Sequence, residues 1–318
     1  VQIATALDQI LTPTVVALGN FDGVHRGHQQ VICSLAGQVR AAEYLTVVSF
    51  NPHPQEFFSQ QGRTLLTPVS EKAAILATLG VQQFVLLPFD QALAKLSPAD
   101  FVAKILVNQL QAKAVSVGFN FGFGHRRSGS VEDLRDLAAG YGVEVMVATP
   151  QLFNQQRISS SAIRQALHNG EVQLANRLLG RCYRLVGEVV RGQQLGRTLG
   201  FPTANLALPA DKFLPKTGVY AVRVRCESLA LVENQPGQTV AGVLNLGYRP
   251  TVTGNQPAPT VEVHLLDWSG DLYGHTLSVD LEQYLRPEQR FPNLDALKAQ
   301  IQQDCLQAQD WLQGMAAY

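Results

Sequence analysis

Cysteine, methionine and tryptophan are scarce in this chain, at four, two and two among 318 residues. Cys33, Cys182, Cys226 and Cys305 stand far apart and no CxxC occurs, which argues against a zinc site or a disulfide framework. Reduced thiols of a cytoplasmic protein are the expectation. Charge is thin and even: charged residues make up 16%, with Lys+Arg and Asp+Glu both at 25. That balance offers no general attraction to nucleic acid or to an anionic membrane, so neither is expected as a partner. No run approaches the roughly 18 apolar residues of a membrane span. The opening residues, VQIATALDQILTPT, lack a basic stretch followed by a long apolar one, so no signal peptide is expected. Internal repeats, low-complexity tracts and the GxGxxG of dinucleotide-binding loops are also missing.

What is present is apolar. Hydrophobic residues reach 46%, enough for two buried cores at roughly 100–200 residues per domain. Over residues 14–150, the segments TVVALGNF, YLTVVSF, VQQFVLLPF, AKAVSVGF and VEVMVATP are short, β-branched and continuously apolar. Such runs predict central strands of a parallel sheet covered on both faces. Helices are predicted between them. One starts at Ser97-Pro98, with Ser97 as cap, Pro98 at the first helical position and Asp100 three residues after the cap. Another ends at Gly80. The alternation predicts a doubly wound α/β domain.

Near residue 180 the pattern changes. Two short helical segments, 160–169 and 171–179, each run into a glycine, Gly170 and Gly180. Then YRLVGEVVRG, GVYAVRVRC, TVAGVLNLG, TVEVHLLDW and HTLSVDLEQYL follow, separated by turn residues, as in a small antiparallel β-barrel. From Leu294 to Met315 the spacing is helical, with Leu297, Ile301, Leu306 and Leu312 among the apolar positions. The expected boundaries are an α/β domain over 1–168, a helical connection over 169–180, and a barrel with its terminal helix over 181–318.

Two motif sets stand out. In the first half, the first strand runs into Gly19-Asn20-Phe21-Asp22-Gly23-Val24-His25-Arg26-Gly27-His28 and then a helix. A loop at the carboxyl end of a parallel strand, opening a helix, is where such sheets bind anions. His25 and His28 share one side of the first turn, and Gly27 leaves room for a phosphate. Asn51-Pro52-His53-Pro54, the Gly118–Gly124 run with Asn120, Phe121 and then Arg127, and Ile158-Ser159-Ser160-Ser161-Ala162-Ile163-Arg164 also follow strands. A serine cluster before a helix serves as a cap, and Arg164 beside it can clamp phosphate.

In the second half, Gly196-Arg197-Thr198-Leu199-Gly200-Phe201-Pro202-Thr203-Ala204-Asn205 offers glycines for close approach to phosphates. Thr203 and Asn205 point the same way from an extended segment, as hard oxygen ligands suited to Mg²⁺. Thr260, Glu262 and His264 alternate with apolar residues, so they share a face. On pattern alone Glu262 reads as a solvated strand residue.

Together these segments resemble the bifunctional riboflavin kinase/FMN adenylyltransferase (bacterial FAD synthetase) family over roughly residues 14–310. HxGH with ISSSAIR, and GFPTAN with the later Glu262, occur in that family's order. The resemblance implies a Rossmann-like nucleotidyltransferase domain followed by a riboflavin kinase-like barrel. It implies ATP, riboflavin, FMN and FAD as substrates and products, and Mg²⁺ as cofactor. In the first domain it implies that Gly19, Phe21, His25, Gly27, His28, Ser159, Ser160 and Arg164 serve ATP, with His25 and His28 stabilising the transferring phosphate. Asn120, Phe121 and Arg127 would face the flavin. In the second it implies that Glu262 activates the riboflavin 5′-hydroxyl. Gly196, Arg197, Gly200 and Thr203 would hold phosphates, Thr203 and Asn205 the metal, and Arg286 and Phe291 the flavin. Many relatives carry Asp at the position of Asn120 and Thr at that of Ser161, so a kinase with a weakened adenylyltransferase stays open. A flavin-binding protein without catalysis is a further alternative, and so is an oligonucleotide-binding barrel, which the even charge disfavours.

Overall fold

A computed structural model describes residues 1–192, 196, 199–231, 238–249 and 258–315. The chain divides into two compact units, Val1–Ser160 and Ser161–Tyr318.

The first unit is built on one six-stranded sheet. Its elements run β1 (Gln2–Ala4), β2 (Thr14–Leu18), α1 (Arg26–Cys33), β3 (Tyr44–Asn51), α2 (Pro54–Ser59), α3 (Val69–Thr78), β4 (Gln83–Pro88), α4 (Gln91–Ala94), α5 (Pro98–Asp100), β5 (Ala112–Gly118), α6 (Val131–Ala139) and β6 (Glu144–Ala148). The strand order is β1-β4-β3-β2-β5-β6 and every pairing is parallel. β2 is buried along its whole length, as a strand with apolar cores on both faces must be. From β2 the chain builds outward to β3 and β4, then returns to add β5 on the other side. Order therefore reverses beside β2, and the carboxyl ends of β2 and β5 flank the crevice where open α/β sheets bind ligands.

Two expectations need correction here. Not all the apolar runs form central strands: β6 is an edge strand, with partly exposed residues from Glu144 to Val147. The other edge is β1, whose three residues are too few to show a pattern. The helix capped by Ser97 does begin at Pro98, with the Ser97 side chain accepting the Asp100 N–H, but it continues from Phe101 to Gln109 as a π-helix.

The second unit comprises α7 (Ser160–Asn169), α8 (Val172–Leu179), β9 (Tyr183–Val190), β10 (Ala204–Ala207), β11 (Gly218–Cys226), β12 (Val240–Arg249), β13 (Ala258–Leu265), β14 (Thr276–Arg286) and α9 (Leu294–Met315). A small hairpin, β7 (Leu152–Phe153) and β8 (Gln156–Arg157), precedes α7 in the chain. The six strands β9–β14 close into an antiparallel barrel in the order β10-β13-β12-β11-β14-β9, sealed by pairing of β9 with β10. Closure removes sheet edges. Asn176 ties α8 to the barrel, donating to Leu281 O at 2.9 Å and accepting the Tyr183 N–H at 2.7 Å. α9 covers one side with Ala308 and Leu312 against Val219, Ala221 and Val243. Leu306, expected on that apolar face, is instead 56% exposed, and the buried residue near it is an acid, Asp304 at 2%.

Two candidate active sites

The loop from β2 into α1 holds two non-glycine residues in left-handed backbone, Phe21 at φ 50° and Val24 at φ 40°. That conformation is costly for bulky and β-branched side chains. Residues 66–72 clasp the loop. The Asp22 carboxylate, 3% exposed, accepts N–H bonds from Leu66 at 2.8 Å and Thr67 at 3.3 Å. Gly23 N–H donates to Thr67 Oγ1 at 3.0 Å. The Asn20 carbonyl accepts from Lys72 Nζ at 3.0 Å and Ser49 Oγ at 3.1 Å. Burial pushes Lys72 down from 10.5 to about 8, and the Asp22 charge partly offsets this.

His25 caps α1, its Nδ1 accepting the His28 N–H at 3.2 Å. That bond uses the Nδ1 lone pair, so a neutral His25 carries its proton on Nε2. The two imidazoles stack with centroids 3.6 Å apart, and His28 meets the buried Phe21 ring edge-on at 5.3 Å. Phe21 lies against Gly19, and the His25 ring against Gly27. Ser160 Oγ donates to the Asp22 carbonyl at 2.8 Å, with Ser159 half-buried before it. After β5, the Arg127 guanidinium reaches the Asn120 carbonyl at 3.4 Å, and Phe121 stacks on Phe123 at 5.9 Å. These residues of the first unit gather at the carboxyl ends of β2 and β5. Arg164 belongs to the second unit, where its guanidinium lies over the Phe213 ring at 4.8 Å.

The second site is a cleft of about 380 Å³ in the barrel unit, within the usual size of ligand pockets. Strand register sets its floor. Glu262 on β13 pairs with Asn205 on β10 and with Asn245 on β12, so amide, carboxylate and amide form one row across three strands, and all three line the cleft. Thr203 and His264 lie beside this row. A Cβ on Gly192 would overlap the Asn205 side chain, and one on Gly196 the Phe201 carbonyl. Glycine at these two positions lets the Thr203 and Asn205 segments close in. This oxygen-rich donor set fits a hard cation such as Mg²⁺.

The far wall comes from the start of α9 and the segment before it. Arg286 makes a bidentate pair with buried Asp304, at 2.8 and 2.7 Å, and its guanidinium lies over Phe291 at 5.8 Å. Losing either partner alone would cost about 3–5 kcal/mol, so Arg286 anchors this wall whatever else it touches. Gly196 and Gly200 are in the described segment, and Gly196 lines the cleft. Arg197 lies outside the described residues. Cys305 also lines the cleft, but burial, then the Asp304 and Asp267 charges, push its thiol up to about 11. It is therefore a poor nucleophile.

The motifs do not point to Asn245, Asp304 or the Thr67–Lys72 clasp. Asn245, a lone polar residue between Leu244 and Leu246, carries a faint signal. The others act across long separations that leave no local trace.

A loop-to-helix histidine pair at a parallel-sheet switch point and an acid–amide row in a closed barrel fit a two-part, nucleotide-using transferase. A FAD synthetase family model matches residues 7–162, and a riboflavin kinase family model matches residues 179–312. The chain belongs to the bifunctional riboflavin kinase/FMN adenylyltransferase family. A relative of that description from Pseudomonas fluorescens is 42% identical over 91% of this chain and 90% of its own. One from Escherichia coli (strain K12) is 40% identical over 93% and 92%. A solved structure described as a macrolide-efflux protein from Streptococcus pneumoniae shares the fold at TM-score 0.82 and 29% identity, over 97% of this chain and 98% of that one. That description belongs to that protein. Among the described residues no helix is long and apolar enough to cross a membrane.

Proposed function

We propose that this chain converts riboflavin and ATP to FMN and ADP in the barrel, then FMN and ATP to FAD and pyrophosphate in the α/β domain. The observation that carries the first reaction is the Asn205–Glu262–Asn245 row beside Thr203. Glu262 takes the proton of the riboflavin 5′-hydroxyl, and that oxygen attacks the γ-phosphorus of ATP as ADP leaves. Thr203 and Asn205 hold the cation, and Gly196, Arg197 and Gly200 approach the phosphates. Bound Mg²⁺ supplies charge compensation at the transferring phosphate. Phe291, held by Arg286, offers an apolar ring to the flavin.

In the other domain an FMN phosphate oxygen attacks the α-phosphorus of ATP and pyrophosphate leaves. His25 and His28 stabilise the charge that develops, at a loop whose shape is fixed by Asp22 and Lys72. Gly19, Phe21, Gly27, Ser159 and Ser160 complete the ATP site, and Asn120, Phe121 and Arg127 face the flavin. We place these activities in the cytoplasm, with domains over 1–168 and 181–318 joined by 169–180.

Purified protein incubated with riboflavin, ATP and Mg²⁺ should form FMN and then FAD, and EDTA should stop both. FMN without FAD would mean that Asn120 and Ser161 mark a weakened adenylyltransferase. No product would mean a binding role.

The two reactions should also separate physically. A fragment of residues 181–318 should fold and make FMN but no FAD. Extending it to 161–318 should raise its melting temperature, because Asn176 then restores its bonds to β9 and β14. A fragment folded by circular dichroism yet inert as a kinase would refute an independent site.

A further inference from the structure

His264 shares the Glu262 face of β13 and lines the same cleft, but the reaction above gives it no task. Its bonding points to one. β10 and β13 pair at Asn205–Glu262 and Ala204–Val263, and the backbone ladder stops there. Just beyond, the imidazole takes over: His264 Nδ1 lies 2.8 Å from the carbonyl oxygen of Pro202, a contact spanning 62 residues. A carbonyl only accepts, so Nδ1 carries the hydrogen. The Phe201 ring meets the imidazole edge-on at 5.6 Å and limits its swing.

The position of this bond matters. The N–H groups of Leu199 and Phe201 both donate to the Gly196 carbonyl, at 3.2 and 2.8 Å, which closes the turn before Pro202. Proline fixes its own φ and has no N–H to give. The direction of the Pro202 carbonyl therefore helps set where Thr203 lies, between this turn and the ladder that begins at Ala204. We infer that His264 is a positioning residue for riboflavin phosphorylation, orienting the Pro202–Thr203 peptide, and so the Thr203 hydroxyl, toward the magnesium nucleotide. The inference rests on assigning Thr203 and Asn205 to that ligand. Pro202 is exposed and His264 half-buried, so the bond adds little to global stability, and its effect belongs to the site.

The test uses the full chain and measures KM for MgATP, kinase kcat, and FAD formation from supplied FMN. His264→Ala and His264→Gln should raise the KM about tenfold, the scale of one hydrogen bond, with kcat changed less than about twofold. His264→Asn places an amide nitrogen where Nδ1 was and should return the KM to within about threefold of native. FAD formation from FMN should stay level in all three, since that chemistry uses the other unit, and a native melting curve for each variant reports that the barrel is folded. A native KM in His264→Ala, or an Asn variant as impaired as the Ala variant, overturns the inference. Thr203→Ala separates the two levels of the argument. If it raises the KM while His264→Ala does not, only the positioning role fails. If neither raises it, the cleft assignment fails as well.

Discussion

Glu262→Gln should lower riboflavin phosphorylation by about 10²–10⁴ while leaving the protein as stable as before. The substitution keeps size and polarity but removes the proton acceptor. Glu262 is only partly buried, on the polar face of β13, so the melting curve should move by less than about 0.5 kcal/mol equivalent. Its neighbours across the strands are the carboxamides of Asn205 and Asn245, both able to bond a Gln in its place. FAD formation from supplied FMN should persist, since that chemistry uses the other unit.

The cleft holds two further carboxylates, Glu288 and Asp304. Asp304 is committed to Arg286, which makes it unsuited to shuttle a proton. Glu288, packed against Gly247, is the competing base. Measuring turnover of Glu262→Gln and Glu288→Gln side by side decides between them. A well-folded Glu262→Gln with near-native FMN production removes Glu262 from the mechanism, and collapse of Glu288→Gln in the same assay would transfer the role.

The sequence displays these sites unevenly, and for physical reasons. β2 to β5 are legible because strands covered on both faces are mostly apolar, with only scattered polar residues such as Thr46, Gln83 and Ser116 buried among them. β1 is not, because three residues carry no period, and β6 misleads because its apolar run partly faces solvent at an edge. Helix spacing gives the bounds of α9 but misassigns Leu306 and hides Asp304. A buried acid paired with an arginine 18 residues away looks, in one dimension, like any surface acid. Ligand-facing motifs show more clearly, since glycine, histidine and Pro-Thr runs break local pattern. The residues that shape them are silent. Thr67 and Lys72 reach the β2 loop across 44 and 52 residues, and Asn245 meets Glu262 only through strand register.

That silent clasp bears on the adenylyltransferase, where His28→Ala should slow FAD formation by about 10²–10³, the scale of one lost preorganised donor. His28 is a cleaner probe than His25. The His25 ring caps α1, and its loss would cost about 0.5–2 kcal/mol in helix stability and blur any kinetic effect. The His28 ring has no such capping duty, and the backbone N–H that it lends to His25 survives truncation. The surrounding loop should also survive. Its left-handed turns at Phe21 and Val24 are also held by Asp22, Thr67, Ser49 and Lys72. FMN production should therefore be unchanged, and a native melting curve for the variant reports that the α/β unit is folded. FAD is measured from supplied FMN, so a slow first step cannot masquerade as a slow second one. Equal loss of both activities would mean misfolding or a shared site. Native FAD formation would mean that the stacked pair needs only His25, and that the developing charge is met by the helix N-terminus itself.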